Sequence, residues 1–244
     1  INAVDETSRA TGSRLGGAVS YWLDEAGEKT ASKPKFRQIN MTLNKLIGLC
    51  YTSDELLQDV DILTDIIDSS FRSEFGFKTD DGIINGTGAG QMLGILNASC
   101  LVSVSAEVGQ ASNTILAENI EKMWARLLPD SQMRAVWLIN PAVWPQLFQL
   151  HHTVGAGGVP VFVPGGNLDS APYGNLLGRP IMPIEQCSAL GTQGDVIAAD
   201  LQHYLLAEKG NIKRDVSIHV RYVYDESCFR FVSRLDGQPD MASA

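Results

Sequence analysis

The stretch that most constrains this chain is a long amphipathic pattern that begins at Thr52 and ends in a glycine-rich turn before Asn97. Thr52 with Glu55 fits a capping box at the start of a helix, and Gly76 suits its end. The pattern therefore predicts one helix of about 23 residues, roughly 35 Å long, which spans a whole domain. The apolar residues that recur at helical spacing and mark its buried face are Leu56, Val60, Leu63, Ile67, Phe71 and Phe75.

Three alternating glycines, Gly86, Gly88 and Gly90, follow this helix in the sequence NGTGAGQ. A glycine-rich run binds phosphate when a strand precedes it, a helix opens directly from it and a Lys-Ser or Lys-Thr pair follows. The sequence has none of these three features, so we interpret the glycine run as a tight backbone turn beside the helix. Taken alone, the helix and turn are typical of the core of many ordinary enzymes.

Composition and charge set limits on the class of protein. The 244 residues suffice for one large domain or two small ones, and a hydrophobic content of 44% with 19% charged residues allows a packed core. The net charge of -9 argues against direct sequence-specific binding of DNA or RNA, which needs a basic face. The sequence contains no apolar run long enough for a membrane span and no visible signal peptide.

The cysteines indicate the redox environment of the protein, and the first residue bears on how the chain is processed. Cys50, Cys100, Cys187 and Cys228 are far apart and form no CxxC pair, so we expect reduced, mostly buried thiols and assembly in a cytoplasm. The sequence starts at Ile1 rather than at Met, so we expect a chain that was cut, processed or begun at an internal residue.

The first 49 residues are predicted to extend away from a core. Residues 1–17 are polar without a helical or strand period, which fits either an extended arm or a flexible tail. Residues 18–25 and 36–49 contain strand-forming residues on either side of the charged segment DEAGEKTASKPK. This pattern predicts a long hairpin whose tip projects into solvent. Such a tip gains order by lying on another subunit or stays a mobile surface loop, and both readings remain open.

The remainder alternates between short helices, loops and strands. A second helix is predicted at 113–128 and is ended by Pro129, followed by a strand at 135–139 and a short helix near Pro141. Glycine and proline dominate 151–178, which predicts little regular structure. Helices early and strands late favour an α+β arrangement over a doubly wound sheet. The late strands are predicted at 180–184, 195–199, 203–207, 216–224 and 228–234.

Catalytic motifs are absent from the sequence. It contains no GxSxG, HExxH, Walker or Rossmann pattern. His151, His152, His203 and His219 stand in no recognisable triad context, and the adjacent pair lacks a third ligand nearby. We therefore predict no catalytic, cofactor or metal site, and a protein that is not an enzyme.

Several short sequence motifs occur along the chain in a characteristic order. They are FRQINM at 36–41, TSDELLQD at 52–59, NGTG at 85–88, GRPI at 178–181 and FVSRLDG at 231–237. Their order and spacing closely resemble the major capsid protein family of tailed bacteriophages, which has the Hong Kong 97-type fold. The resemblance extends from about residue 18 to residue 237.

The resemblance implies an architecture. Residues 1–17 would form an N-terminal arm, and residues 18–49 an extended hairpin loop that lies across a neighbouring subunit. Residues 50–100 and 206–244 would form a peripheral domain around the long helix. Residues 101–205 would form an axial domain whose loops meet at the five-fold and six-fold centres.

The resemblance also implies a function. The chain would build hexamers and pentamers of an icosahedral phage or prophage shell around double-stranded DNA, as a virion component assembled in the bacterial host cytoplasm. Its partners would be itself and the scaffold, portal or decoration proteins of the same virus. Packaged DNA would be contacted only indirectly, and no membrane or cofactor is implied.

Individual residues take candidate roles from the same resemblance. Lys29, Lys33 and Lys35 on the projecting loop are candidates for contacts between subunits. A subunit that must fit rings of five and of six needs hinges, which we expect near Leu49 and at Gly86, Gly88 and Gly90.

Some family members join their subunits covalently, through a Lys on the loop and an Asn in the peripheral domain with help from a Glu. Lys29 falls at or near the Lys position, but Asp225 and Val232 stand at the Asn and Glu positions. A carboxylate is not an activated amide and Val is not a base, so we expect no isopeptide cross-link.

Two alternatives remain at this stage. Encapsulin nanocompartments share the fold, but their N-terminal cargo-docking helix has no evident counterpart in the unpatterned arm. A soluble hydrolase would use the glycine turn and would show a discrete pocket with converging polar groups. Particle size in solution distinguishes a shell from an enzyme.

Overall fold

The computed structural model describes residues 2–4, 10, 12–25, 27–60, 62–152, 159–160, 162 and 174–241. The first strands and helices are β1 (Asn2–Val4), β2 (Phe36–Gln38), β3 (Asn44–Ser53), α1 (Asp54–Asp59) and α2 (Leu63–Asn85). The middle of the chain forms α3 (Ala117–Arg126), α4 (Pro129–Gln132), β4 (Val136–Ile139), α5 (Trp144–Phe148), β5 (His151–His152), β6 (Val159–Pro160), β7 (Asn175–Leu176), β8 (Arg179–Pro183) and β9 (Val196–Ala199). The last strands are β10 (Tyr204–Glu208), β11 (Lys213–Arg221) and β12 (Glu226–Pro239).

Short 3-10 helices connect several of these elements. They lie at Arg14–Gly17, Ile95–Asn97, Pro141–Val143, Leu201–His203 and Tyr222–Tyr224. The chain divides into two compact units, each with its own core. The first comprises Ile1–Ser99 with Leu205–Ser243, and the second comprises Cys100–Tyr204.

A sheet built around β12 organises the first unit. β12 pairs with β10, β11 and β3, and the antiparallel pairing with β3 runs from Glu226 opposite Ser53 to Leu235 opposite Asn44. Phe229 and Phe231 point to one face of this sheet, where they are buried against α2. Phe71 of α2 stacks on Phe231 with ring centroids 4.5 Å apart. This apolar contact holds the long helix against the sheet.

The long helix differs from its prediction in where it starts and stops. The pattern splits into α1 and α2, because Val60 leaves the helical region with φ -126° and ψ 90°. The cap is Ser53, whose hydroxyl accepts from the Leu56 amide at 3.4 Å. The predicted cap, Thr52, is instead paired with Ser227, and the strand continues to Ser53, four residues beyond the predicted end at residue 49.

The predicted stop at Gly76 is also wrong. Gly76 lies inside α2, which continues to Asn85 and is followed by Gly86 at the C-cap. A glycine in a helix interior costs about 1 kcal/mol relative to Ala, which weakens a helix without ending it when one face is packed. α2 therefore has 23 residues, the predicted length, but lies further along the chain.

The predicted hairpin of residues 18–49 is not formed as a pair of strands. Described residues between 18 and 35 carry no strand, and β2 pairs antiparallel with β1 of the N-terminal arm, for which no strand was predicted. The second flank, β3, pairs with β12 along ten residues instead. β12 offers β3 a long buried partner, which the short and exposed first flank at 18–25 does not. The loop therefore projects as extended chain rather than as a ladder.

The second unit is built on β4, and every residue of β4 after Val136 is buried. β4 pairs parallel with β8 and antiparallel with β9, and β7 pairs antiparallel with β8. The indole Nε1 of Trp137 donates to the carbonyl of Leu176 at 2.9 Å in the middle of this core. Other large side chains that are fully enclosed are Ile120, Ile139, Val143, Leu147 and Leu176.

Most predicted elements of this part are confirmed. The helix at 113–128 is α3, the strand at 135–139 is β4, and the short helix near Pro141 is a 3-10 turn that continues into α5. The predicted late strands correspond to β8 to β12 with ends shifted by a few residues. Much of the glycine- and proline-rich 151–178 segment lies outside the described residues. Both helices and sheets are present, so the α+β class is confirmed.

Candidate assembly surfaces

The glycine run after α2 is a compact turn that is bonded to itself. The amide of Gly88 donates to Met92 O at 3.0 Å, and the amide of Gly94 donates to Gly86 O at 2.8 Å. A Cβ on Gly86 would lie 2.2 Å from Met92 O, which is too close for any other residue. Gly88 and Gly90 have φ of +77° and +72°, a region that favours glycine. The turn is further tied to β12, since the Leu93 amide donates to Gly237 O at 2.8 Å.

This geometry bears on the phosphate-loop alternative. The amides of Gly86, Gly88 and Gly94 are all used in hydrogen bonds to backbone carbonyls of the same region. They are therefore not directed at an external anion, and the tight-turn interpretation agrees with these contacts. A pocket of about 280 Å³ lies beside the turn, with Lys45, Lys78 and Asp81 among its lining residues. Among the described residues, its lining includes no histidine or cysteine.

The loop between the arm and β2 presents its side chains to solvent. Trp22 is fully exposed at 103%, and Tyr21 and Leu23 are about half exposed. The loop tip has internal structure, because the Tyr21 hydroxyl donates to the Thr30 carbonyl and the Gly27 amide donates to Asp24 O at 3.1 Å. The three candidate contact lysines, Lys29, Lys33 and Lys35, are all exposed on the same loop.

The sheet face that points away from α2 carries an exposed apolar row with basic residues around it. Ile47, Leu49 and Tyr51 alternate along β3 and are between 39% and 56% exposed. Paired residues of neighbouring strands share a face. The registers therefore add Arg230 beside Leu49, Val232 beside Ile47 and Lys213 beside Val232.

The positive and negative charges on this face do not sum to zero. Arg230 pairs with Asp215 at 2.6 Å, and Arg221 pairs with Glu226 at 3.1 Å. Lys45, Lys213 and Arg234 form no ion pair with any described residue. The face, which we call the basic sheet face, thus holds five cations and three carboxylates in a chain whose net charge is -9. Its members are Lys45, Ile47, Leu49, Tyr51, Lys213, Asp215, Arg221, Glu226, Arg230, Val232, Arg234 and Asp236.

A projecting tip joins β11 to β12 at the end of this sheet. Tyr222, Val223 and Tyr224 are between 71% and 89% exposed. The guanidinium of Arg221 lies 4.5 Å from the ring centroid of Tyr51 and 5.7 Å from that of Tyr224, which anchors the tip by cation–π contacts.

The two positions tied to cross-linking lie apart on this part of the chain. Asp225 adopts a left-handed conformation with φ 51° just after the tip, whereas Val232 lies in β12 opposite Lys213. Seven residues separate them, roughly 20 Å along an extended strand.

The second unit contains a buried ionic network. Only 5% of the Asp200 side chain is exposed. Its Oδ2 lies 3.0 Å from Arg134 Nη2 and 3.9 Å from His203 Nε2. Burial alone would raise the pKa of Asp200, but hydrogen bonds from the Gln202 amide, the Ser131 hydroxyl and Arg134, with the charge of Arg134, lower it overall. The network ties the 3-10 turn before β10 to the segment before β4.

Cys187 and His151 are the next titratable candidates. Burial, aided by the nearby charge of Asp195, raises the pKa of Cys187 to about 11, so this thiol is unreactive at neutral pH. His151 Nδ1 lies 2.8 Å from Gln149 O, and the position of the His152 side chain is outside the described residues. Within the described ranges, no three His, Cys, Asp or Glu residues are grouped to hold a metal ion. Among the same residues, no helix has the length and apolarity needed to cross a membrane.

Sequence reasoning missed the basic sheet face and the Arg134–Asp200 pair. The alternation Lys45-Ile47-Leu49-Tyr51 was visible, but only the pairing of β3 with β12 brings Arg230 and Arg234 beside it. Arg134 and Asp200 are 66 residues apart, and nothing local in the sequence joins them.

Comparisons with known proteins identify a family and a set of similar folds. The model of the "Phage capsid family" matches residues 4–244. The capsid of a native GTA particle has a TM-score of 0.72 at 16% identity, with 98% of this chain and 80% of that chain covered. The capsid of an empty GTA particle has a TM-score of 0.70 at 16% identity, with 91% and 78% covered. The Mycobacterium phage Bobi structure has a TM-score of 0.64 at 14% identity, with 100% and 80% covered. No curated protein matches the sequence.

Proposed function

Because this chain belongs to the phage capsid family and is a major capsid protein of the Hong Kong 97-type fold, we propose that it assembles as hexamers and pentamers around double-stranded DNA. The observation that carries the proposal is the family match, which covers residues 4–244. The protein self-assembles into a capsid and is a virion component.

The two compact units take the roles of the two capsid domains in this proposal. Residues 50–100 and 206–244 serve as the peripheral domain, with α2 as its long helix, and residues 101–205 serve as the axial domain. The proposal is supported by the division of the chain between Ser99 and Cys100 and between Tyr204 and Leu205. Two separate cores suit a subunit that adapts to rings of five and of six, because each unit keeps its packing while the connection adjusts.

The arm, the loop and the glycine turn have assembly roles. Residues 1–17 form the arm and residues 18–49 the loop that reaches a neighbouring subunit, where Lys29, Lys33 and Lys35 make contacts. The exposure of these three lysines in the single chain supports this role. Gly86, Gly88 and Gly90, with the β3 segment near Leu49, are the hinge candidates of this proposal, although the hydrogen bonds that close the turn and the pairing of Leu49 with Arg230 limit how far they bend. Normal particles formed by a variant with bulkier residues at Gly86 and Gly88 would count against the hinge.

The remaining partners follow from the capsid role. Scaffold, portal or decoration proteins of the same virus bind the shell, and assembly takes place in the bacterial host cytoplasm. The net charge of -9 limits adhesion of packaged DNA, so DNA contact is indirect. The protein acts as a structural component rather than as an enzyme.

Electron microscopy of the purified protein with analytical ultracentrifugation tests the proposal. We expect closed particles or capsomers of megadalton size. A matched variant that lacks residues 19–34 keeps both cores but loses the loop, and we expect it to stay as small species. A wild-type protein that remains monomeric or dimeric, even when co-expressed with the other head proteins of its virus, would overturn the proposal.

A further inference from the structure

The base of the projecting loop is attached to the first unit by side chains rather than by a strand ladder. The ladder between β3 and β12 ends where Asn44 faces Leu235, although β12 continues to Pro239. Residues 39–43, all of which the structure describes, carry no strand. They nevertheless run alongside the last residues of β12 in the same antiparallel order, and the contacts that hold them there come from side chains.

Two side chains of β12 bridge the two backbones. The Thr42 amide donates to Asp236 Oδ2 at 2.7 Å, and Gln238 Nε2 donates to the Asn40 carbonyl at 2.9 Å. The other carboxylate oxygen, Asp236 Oδ1, accepts the Gly237 amide at 2.9 Å, which fixes the orientation of the carboxylate. Each bridge therefore joins one side chain of β12 to one main-chain group at the base of the loop.

A third contact and one buried side chain complete the base of the loop. A guanidinium nitrogen of Arg37, in β2, donates to the carbonyl of Asp240. Ile39, which follows in the chain, is only 4% exposed and anchors the segment by burial of its apolar side chain. We call the three contacts of Arg37, Asp236 and Gln238 the loop clasp.

The end of β12 explains why the ladder stops. The Gly237 carbonyl accepts the Leu93 amide at 2.8 Å, so it is already used by the glycine turn. Pro239 has no N–H and donates no ladder bond. The contacts of Asp236 and Gln238 replace these main-chain bonds, but they are exposed to solvent. Water competes with exposed bonds, so the clasp opens more readily than the ladder of β3.

We propose that Arg37, Asp236 and Gln238 are positioning residues that set the direction in which the loop, residues 18–35, leaves the first unit. With the clasp closed, the base of the loop is fixed at three points along β12, and the loop has one direction. With the clasp open, Ile39 and the ladder of β3 still hold the chain, so the loop turns about Ile39 while the core keeps its packing. The consequence for assembly rests on the proposed shell function.

Exchanges between acid and amide test the clasp, because Asp236 accepts a hydrogen bond and Gln238 donates one. Asp236→Asn keeps an oxygen for the Thr42 amide, whereas Asp236→Ala removes it. Gln238→Glu keeps the size of the side chain, but at neutral pH it has no donor for the Asn40 carbonyl. Asp236→Ala and Gln238→Glu should therefore release the loop, and Asp236→Asn should not.

The direction of the loop is measured as a distance in the full chain, at a concentration below that of assembly. Spin labels on non-natural amino acids at Lys33 and Gly76 leave the native cysteines unlabelled, and double electron–electron resonance gives the distance distribution. Lys33 is exposed just before β2, and a Cβ at Gly76 meets nothing within 4 Å. We expect one narrow distribution for wild type and Asp236→Asn, and a distribution at least about twofold wider for Asp236→Ala and Gln238→Glu.

Controls separate positioning from a general loss of stability or charge. Asp215→Ala removes another exposed carboxylate of the same sheet, one that pairs with Arg230 instead of with the loop base, and should keep the wild-type distribution. Hydrogen exchange of the Thr42 amide should be at least about tenfold faster in Asp236→Ala, while the ladder of β3 and β12 keeps its rates. A lower urea midpoint with an unchanged distance distribution would show that the bonds only stabilise, and would overturn the proposal.

The other outcomes are distinct as well. A wide distribution in the wild type, no widening in Asp236→Ala and Gln238→Glu, or equal widening in Asp215→Ala or Asp236→Asn would overturn the positioning role and leave the shell function intact. In assembly, release of the loop should lower the yield of closed particles at least about tenfold, because a loop without a fixed direction must be ordered on binding. Normal yields with a released loop would overturn that consequence. A wild type with a narrow distribution that forms no particles would overturn the shell function and leave the positioning role intact.

Discussion

The amide of Gly94 donates a hydrogen bond to the carbonyl of Gly86 at 2.8 Å, and this bond closes the loop that follows the long helix α2. A Cβ built on Gly94 would lie 2.4 Å from the Gly86 nitrogen, and one on Gly86 would lie 2.2 Å from Met92 O. Backbone therefore packs on backbone on both sides of the turn. The glycines are required by close approach at Gly86 and by left-handed geometry at Gly88 and Gly90.

We expect Gly86→Ala to destabilise the protein by about 1–3 kcal/mol, because the new methyl group must displace backbone atoms. Gly76→Ala is the matched control, since Gly76 lies in the middle of α2 with nothing within 4 Å of a new Cβ. There the same substitution should stabilise by about 0.5–1 kcal/mol through helix propensity. Urea denaturation followed by circular dichroism measures both. Equal free energies of unfolding for the two variants would show that the turn is not tightly packed.

Trp137→Phe tests the core of the second unit. The indole Nε1 of Trp137 donates to Leu176 O at 2.9 Å, and both residues are buried. The substitution removes the donor and leaves a buried carbonyl without it, and it also leaves a small cavity. We expect a loss of about 1–3 kcal/mol from the hydrogen bond, with a further loss from the cavity. Trp22→Phe is the matched control, because Trp22 is fully exposed, and it should leave the free energy of unfolding within about 0.5 kcal/mol of wild type.

Asp200 should make the stability of the second unit depend on acid pH. Its pKa is lowered in the folded protein, so its stabilising contribution is fully present above the ordinary value of 3.8 and is lost as the pH falls through the lower folded value. At pH 7, Asp200→Asn should cost about 1.5–3 kcal/mol, since it removes a buried charged acceptor from Arg134. The difference between wild type and Asp200→Asn should shrink below pH 3.8. Urea titrations across pH measure this, and a constant difference would contradict the role of the ionised carboxylate.

The fold was predictable from the sequence where local patterns and tertiary contacts agree. The buried strand β4 and the helix α3 follow directly from apolar runs with clear end signals. The start of the long helix was misplaced because Thr52 pairs with Ser227, a contact across 175 residues that no local rule contains. The missing hairpin has the same cause, since β3 takes β12 as its partner.

The candidate surfaces were less accessible to sequence reasoning than the fold. The lysines of the loop were visible as exposed charges, and the structure leaves them exposed. The basic sheet face depends on the register that sets Lys213 and Arg230 beside β3. Only side-chain alternation combined with strand order reveals such a face, and strand order is a property of the whole chain.

Assembled shells should contain no isopeptide cross-link. Lys29 is exposed on the loop and free to reach a neighbour. Asp225, however, provides no side-chain amide, and Val232 provides no carboxylate, and such a bond requires both groups. Condensation of a Lys amine with the Asp225 carboxylate would have to expel water, which needs activation that neither residue provides. Denaturing gel electrophoresis of purified particles should therefore show the subunit as one band at the size of the monomer. A ladder of covalent oligomers that persists after reduction, and that disappears in Lys29→Ala, would refute this prediction. A double substitution, Asp225→Asn with Val232→Glu, restores both chemical groups and shows whether geometry or residue identity prevents the bond.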